Sequence, residues 1–234
     1  MGDMNWHNHA GIKMIGPKFA IKFQVPLFIF GEVSWDISGM FSIDDYAEFN
    51  KRTVFEHDMR GFDAEAFVGK YKITSQEVKW YKLPTDKEYE ENKLKGIYLG
   101  NFVFWDPYKQ TDIVKKLYKW KEAKKPFERT YRMISNLDDM HENGIHDYLK
   151  YIKFGYGRCS DHASKDIRLD YMNRETAINL VKKYDHVIPS DLYRWLEYVN
   201  LDEEEFFRVA NTFRDPRVWE ERNNEWIKRY NLWD

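Results

Sequence analysis

Two strongly apolar runs, PLFIF at 26–30 and GIYLGNFVFW at 96–105, constrain the fold of this chain more than any other feature. An apolar run without polar alternation reads as a strand covered on both faces, as in a parallel sheet flanked by helices. Gly31 and Glu32 fall where the first strand ends. In open α/β sheets ligands bind beyond the carboxyl ends of the strands, so both are candidate site residues by position. Two such strands are too few for a complete doubly wound sheet. Either the sheet is small, or the sequence starts partway through a larger domain.

The rest of the pattern is helical. Residues 43–68 predict a helix with Phe55, Met59, Phe62 and Ala66 on one face, kinked or divided at Gly61. The polar run 84–95 reads as a solvated loop or an exposed helix. Residues 111–121 predict a helix with Ile113, Val114, Leu117 and Trp120 on one side. From about residue 126 onward the pattern looks helical throughout. Ser160, Asn173 and Ser190 are expected N-caps, and Asp202 with Glu205 resembles a capping box. The expected organisation is an α/β part, 1–125, with a helical insertion at about 34–95, and a helical part, 126–234.

Composition removes several classes. With 43% hydrophobic and 32% charged residues the chain is globular. A net charge of -2 argues against general nucleic-acid binding. A single cysteine, Cys159, excludes an intrachain disulfide framework and a cysteine-rich zinc site, and points to a reducing cytoplasm. No apolar run approaches the ~18–20 residues of a membrane span. The first residues, MGDMNWHNHAG, lack the basic start and apolar stretch of a signal peptide.

The chemistry concentrates in residues 136–168. They hold Asp138, Asp139, His141, Glu142, His146, Asp147, Arg158, Asp161, His162, Lys165, Asp166 and Arg168, with Gly155 and Gly157 flanking Tyr156. These groups exchange protons, bind phosphate or bind metal, beside glycines that let backbone approach a ligand. On a helix, His162 and Asp166, Asp161 and Lys165, and Ser164 and Arg168 share a face. Asp161 and Lys165 form either an exposed ion pair or part of a site. Arg158, Lys165 and Arg168 suit a phosphate or carboxylate. His162 is either a general base or a structural histidine. Asp138, Asp139 and His141 are weak metal candidates that also read as capping, and His7 and His9 alone do not make a site. Cys159 reads as a packed side chain rather than a nucleophile.

Longer stretches then carry a resemblance: GDMNWHNHAGI (2–12), VPLFIFGE (25–32), 39–69, GIYLGNFVFWD (96–106), 126–158, DHASKDIR (161–168), KKYDHV (182–187) and TFRDPRVW (212–219). Along nearly its whole length the chain resembles the N-acetyl sugar amidotransferases of bacterial surface-polysaccharide biosynthesis, the WbpG/PseA type. The resemblance implies an adenine-nucleotide α-hydrolase-like, Rossmann-like parallel sheet of the PP-loop ATP pyrophosphatase kind. It also implies a reaction in which ATP with Mg activates the carbonyl oxygen of a sugar N-acetyl group and ammonia replaces it, giving an acetamidino group in O-antigen or nonulosonic acid sugars. The implied partners are a nucleotide-activated or free N-acetyl sugar, and a glutaminase with an ammonia channel similar to the histidine-biosynthesis pair.

The sequence departs from that family in lacking the SGGxDS phosphate loop; GxxxxGK[ST] and GxGxxG are absent too. The expectation is a carboxyl-terminal part that is inactive by itself, with uncovered apolar surface that favours self-association. Within that reading Glu32 and Gly31 face the nucleotide, Asn5, His7 and His9 lie in the preceding loop, and Arg158, Lys165 and Arg168 hold the sugar diphosphate or a carboxylate. Asp161 and His162 move protons or contact sugar hydroxyls. Two rivals remain: a non-catalytic partner-binding module of a split enzyme, and a metal-dependent hydrolase built on Asp138, Asp139, His141 and His162.

Overall fold

A computed structural model describes residues 4–31, 48–70, 72–134, 141 and 143–234. The chain forms two compact units, Asp3–Trp105 and Asp106–Asp234. The fold is α/β, with a small parallel sheet in the first unit and mostly helical content in the second.

In the first unit, α1 (Trp6–Lys22) lies against β1 (Leu27–Phe30), which pairs in parallel with β2 (Lys95–Tyr98) in the register Leu27↔Lys95 to Phe30↔Tyr98. The helix carries apolar residues on more than one side. Trp6, Ala10 and Met14 pack with Val54, Met59, Ala64 and Val78, while Ala20 packs with Phe28, Phe30 and Tyr98. The buried Trp6 indole N–H donates to Met59 O and Phe62 O at 2.9 and 3.0 Å. That indole fixes α1 to the stretch that follows a helical turn, Lys51–Thr53, and the π-helix into which it widens, Val54–Asp58. Asn5 is the N-cap of α1, and His7 and His9 lie inside the helix rather than in a preceding loop. The polar run forms an exposed helix, α2 (Asp86–Glu91), closed by a reciprocal Thr85–Glu88 capping box.

Three expectations change here. β1 is covered on one face only: Phe28 and Phe30 are buried, whereas Leu27 and Ile29 are 43% and 54% exposed. The second strand is short. β2 ends at Tyr98 where the register with β1 runs out, and a 3-10 turn, Leu99–Asn101, follows. The helix expected over 43–68 is partly outside the described residues; the rest is broken into the π-helix and a 3-10 turn, Ala64–Phe67. Gly61, at φ +73, and Arg60, at φ +55, break the helical path between them, leaving Phe55 and Phe62 exposed while Met59 is buried.

The second unit holds α3 (Pro107–Tyr118), α4 (Asn143–Phe154), α5 (Arg158–Arg168), α6 (Arg174–Tyr184), α7 (Asp191–Val199) and α8 (Glu203–Asn211). Its core includes Ile145, Tyr148 and Ile152 of α4, Cys159 and Ala163 of α5, and Leu192, Leu196, Phe206 and Ala210. Asn173 and Asp202 cap α6 and α8 through side-chain oxygens. Ser190 stands at the start of α7 without a side-chain cap bond. The chain does not stay helical to its end. β3 (Trp219–Arg222) and β4 (Glu225–Lys228) form an antiparallel hairpin. Its two-residue turn, Asn223 at φ 53 and Asn224 at φ 63, has the left-handed pair that a type I′ turn requires. Among the described residues no helix is long and apolar enough to cross a membrane.

Gly96 tests the sheet packing. A Cβ there would collide with the Phe28 ring and come 2.6 Å from Phe49 Cβ. Gly96→Ala is expected to destabilise the protein by about 1–3 kcal/mol in urea unfolding, the usual cost of overpacking. Gly11→Ala, in α1 with Tyr81 at 3.6 Å as its nearest neighbour, is expected to stabilise by about 0.5–1 kcal/mol.

Candidate functional site

The polar segment of the second unit is organised around α5. Its N-terminus has an unusual cap. Gly157 occupies the N-cap position and has no side chain to offer, so the carboxylate of Asp185, at the end of α6, does that work. Asp185 accepts from Gly157 N at 2.9 Å, Ser160 N at 3.2 Å and Ser160 Oγ at 2.5 Å. Ser160 is therefore inside the helix and donates to the cap, rather than being the cap itself. Arg129, 3% exposed, donates to the Asp185 and Val187 carbonyls.

The glycines around Tyr156 serve packing. Gly155 has φ +75, and a Cβ there would lie 2.6 Å from Val218. A Cβ at Gly157 would lie 2.9 Å from the Arg129 guanidinium. Both allow close approach, but of other parts of this unit.

At the other end of α5, Asp166 is 1% exposed and receives three donors. The Tyr108 hydroxyl binds Oδ2 at 2.8 Å, the Tyr131 hydroxyl also binds Oδ2, and Arg132 pairs with Oδ1. Burial, reinforced by the carboxylate, pushes the Tyr131 phenol far up. Burial pushes Tyr108 up to about 12, with Arg132 opposing and Asp166 adding to the rise. Both phenols therefore stay protonated as donors. Asp106 is a second buried anchor. It caps α3 by accepting from Tyr108 N and Lys109 N at 3.0 and 3.2 Å, and takes the Tyr171 hydroxyl at 2.7 Å. Burial alone would raise its carboxyl, but the Tyr171 and backbone hydrogen bonds hold it below the usual range.

Between these anchors, α3 and residues 122–134 enclose a recess of about 190 Å³. It is lined by Tyr108, Tyr131 and Arg132, which bind Asp166, and by Lys115, Asp112 and Glu122. Lys115 pairs with Glu122 at 2.5 Å.

The candidate residues named from the sequence separate into groups. Arg158 makes a two-point pair with Asp147 of α4, at 2.9 and 2.7 Å. Asp161 pairs with Lys150 of α4 at 2.6 Å. Its carboxyl is raised by desolvation, against the pull of Lys150. His162 Nδ1 lies 2.6 Å from Thr130 Oγ1. Desolvation and the surrounding Arg132, Arg158, Lys165 and Lys150 hold its imidazole well below the usual range, so it is neutral at neutral pH. Arg168, exposed, donates to Ser164 Oγ at 2.8 Å, as their spacing implies. Thus α5 brings Asp161, His162, Lys165 and Arg168 together, with Arg158 at its start. Asn5, His7, His9 and Gly31 belong to the first unit, and Glu32, Asp138 and Asp139 lie outside the described residues. Among the described residues no three His, Cys, Asp or Glu side chains gather as metal ligands. Burial pushes the Cys159 thiol up to about 12, which suits a packed side chain.

Asp185, Arg129, Arg132, Tyr131, Tyr108 and Asp106 were not singled out by sequence reasoning. The one available signal was FERTYRM at 127–133, a run with neither helical nor strand periodicity that alternates charge and ring.

Residues 118–232 match the family described as LPS biosynthesis protein WbpG-like, C-terminal domain. That region of the chain belongs to this domain family, as the carboxyl-terminal part of a WbpG-type LPS biosynthesis protein. A comparison with curated proteins finds no match.

Two outcomes are expected from this geometry. Arg158→Ala leaves Asp147, a buried carboxylate, without its partner and should cost about 3–5 kcal/mol in chemical denaturation, whereas Arg168→Ala should stay within about 0.5 kcal/mol. For His162, the unfolded chain takes up a proton near the ordinary histidine value of 6.5 while the folded chain does not. The folded state is therefore stabilised above that value and loses stability as pH falls below it. Unfolding of wild type and His162→Gln at pH values on both sides of 6.5 should show a steeper acid loss in wild type. Equal slopes would remove His162 as the cause.

Proposed function

We propose that this chain is the sugar-handling portion of an ATP-dependent amidotransferase that converts a sugar N-acetyl group to acetamidino in cytoplasmic steps of LPS and O-antigen biosynthesis. The observation that carries the reading is the match of residues 118–232 to the WbpG-like C-terminal domain.

The chain's own residues divide the work. His162, held by Thr130, accepts a proton from the attacking nitrogen or from a sugar hydroxyl. Asp161, paired with Lys150, contacts sugar hydroxyls. Lys165 and Arg168 meet the diphosphate or a sugar carboxylate. Arg158 contributes through α5, since its Nε and Nη2 both donate to Asp147.

ATP supplies the activation of the acetamido oxygen, but the described residues do not fit it by themselves. β2 leads into a 3-10 turn rather than a glycine-rich turn opening a helix, and the sequence lacks SGGxDS. The phosphate grip, a Rossmann-like PP-loop sheet, and the glutaminase and ammonia channel belong to the proposed whole assembly, with Gly31, Glu32, Asn5, His7 and His9 on its nucleotide side.

A deletion strain tests the reaction. Its surface polysaccharide should lose acetamidino sugars and keep the parent N-acetyl sugars, with restoration by the wild-type gene and partial restoration by Arg168→Ala. Unchanged sugar composition would overturn the proposal.

A further inference from the structure

The first unit leaves one sheet edge and one helix face uncovered, and the two lie side by side. β1 and β2 make a two-stranded sheet. The outer edge of β2 is taken: Glu48 bridges Ile97, and Phe49 N donates to Gly96 O at 2.9 Å. The outer edge of β1 has no backbone partner among the described residues. Lys95 N donates to Pro26 O at 2.7 Å, which sets the alternation along β1. Phe28 and Phe30 turn their backbone groups to β2, whereas Leu27 and Ile29 turn theirs to the open edge. The strand carries no charged residue to blunt that edge.

The uncovered helix face belongs to α1. Ile12, Ile15, Phe19 and Phe23 fall at i, i+3, i+7 and i+11 and are 42%, 56%, 42% and 62% exposed. The contacts of α1 with the sheet show which way this stripe faces. Gly16 sits over Phe28 and Phe30 of β1. Ala20 and Lys13, roughly 40–60° round the helix from Gly16, reach Tyr98 of β2. The four apolar residues lie round the helix in the opposite sense. The stripe therefore overhangs the open side of β1, where a further strand would lie beneath it.

We propose that this edge is a twofold interface between two copies of the chain, in which β1 of one copy pairs antiparallel with β1 of the other. Symmetry argues for that occupant. A twofold axis normal to the sheet puts both α1 helices on the same face and turns the two stripes toward each other. Leu27 of one copy opposite Ile29 of the other pairs the open backbone groups and keeps the side chains on matching faces. Area agrees. The exposed parts of Ile12, Ile15, Phe19, Phe23, Leu27 and Ile29 come to roughly 600 Å², the upper end for an apolar patch on a monomer and close to the ~800 Å² per partner of a standard interface. The inference is independent of the amidotransferase reading.

Sedimentation equilibrium of the 234-residue chain from about 1 to 100 μM tests it. A reversible species of twice 28.5 kDa is expected. Ile15→Lys and Phe19→Lys, at exposed positions of the stripe, should each weaken dimerisation about tenfold or more. Ile29→Pro removes an N–H that faces the open edge and spares the bonds to β2, so it should weaken dimerisation likewise. Should that variant fail to fold, the two helix variants decide the matter. Ile113→Lys, at a similarly exposed position of the second unit, should leave the dimer unchanged. A chain that stays monomeric overturns the interface and leaves the edge to a strand of another protein. Open-ended oligomers, a dimer that the helix variants or a folded Ile29→Pro do not weaken, and equal weakening by Ile113→Lys each overturn it too.

Discussion

The burial of Asp166 is the constraint on which the second unit depends. A carboxylate at 1% exposure is tolerable only if its lone pairs are taken, and here three donors from two separate stretches of chain take them. Tyr108 comes from α3, Tyr131 and Arg132 come from the irregular stretch before α4, and Asp166 itself comes from α5. Because the donors must all be present at once, the carboxylate fixes the position of each. The wall and floor of the recess follow from that fixing. The two phenols stay protonated at neutral pH and so remain donors to it.

The same logic runs through the rest of α5. The charged groups that looked most like a ligand-binding set are largely committed to one another: Arg158 to Asp147, and Asp161 to Lys150. A buried ion pair contributes little net stability but is costly to break, so these pairs set geometry more than they add free energy. What remains toward solvent is the Ser164 and Arg168 end of the helix, with His162 held neutral behind it.

Much of this was legible in the sequence, and the limits have physical causes. The helices from Asn143 to Asn211 showed themselves through periodicity and through the capping chemistry of Asn173 and Asp202, because those signals are local. Placing Asp161, His162 and Arg168 on one helix was local too. The partners were not. Asp185 lies 28 residues from Gly157, and Arg132 lies 34 from Asp166, so spacing on one helix carried no information about either. The strand ends were misjudged because an apolar run marks burial potential, and only the length of its neighbour decides how far a ladder extends; β2 stops with β1. The C-terminal hairpin was missed although Asn223-Asn224 is a strong turn signal, because only four residues flank it on each side as strand.

The cap supplied by Asp185 has a consequence for synthesis. As the chain leaves the ribosome, α5 is complete well before Asp185 emerges, and until then its first turn has no side-chain acceptor for Gly157 and Ser160 N–H groups. A helix of 11 residues is marginal in water by itself. The cap of α5 is therefore complete only when the end of α6 is in place, so the two helices order together rather than in turn.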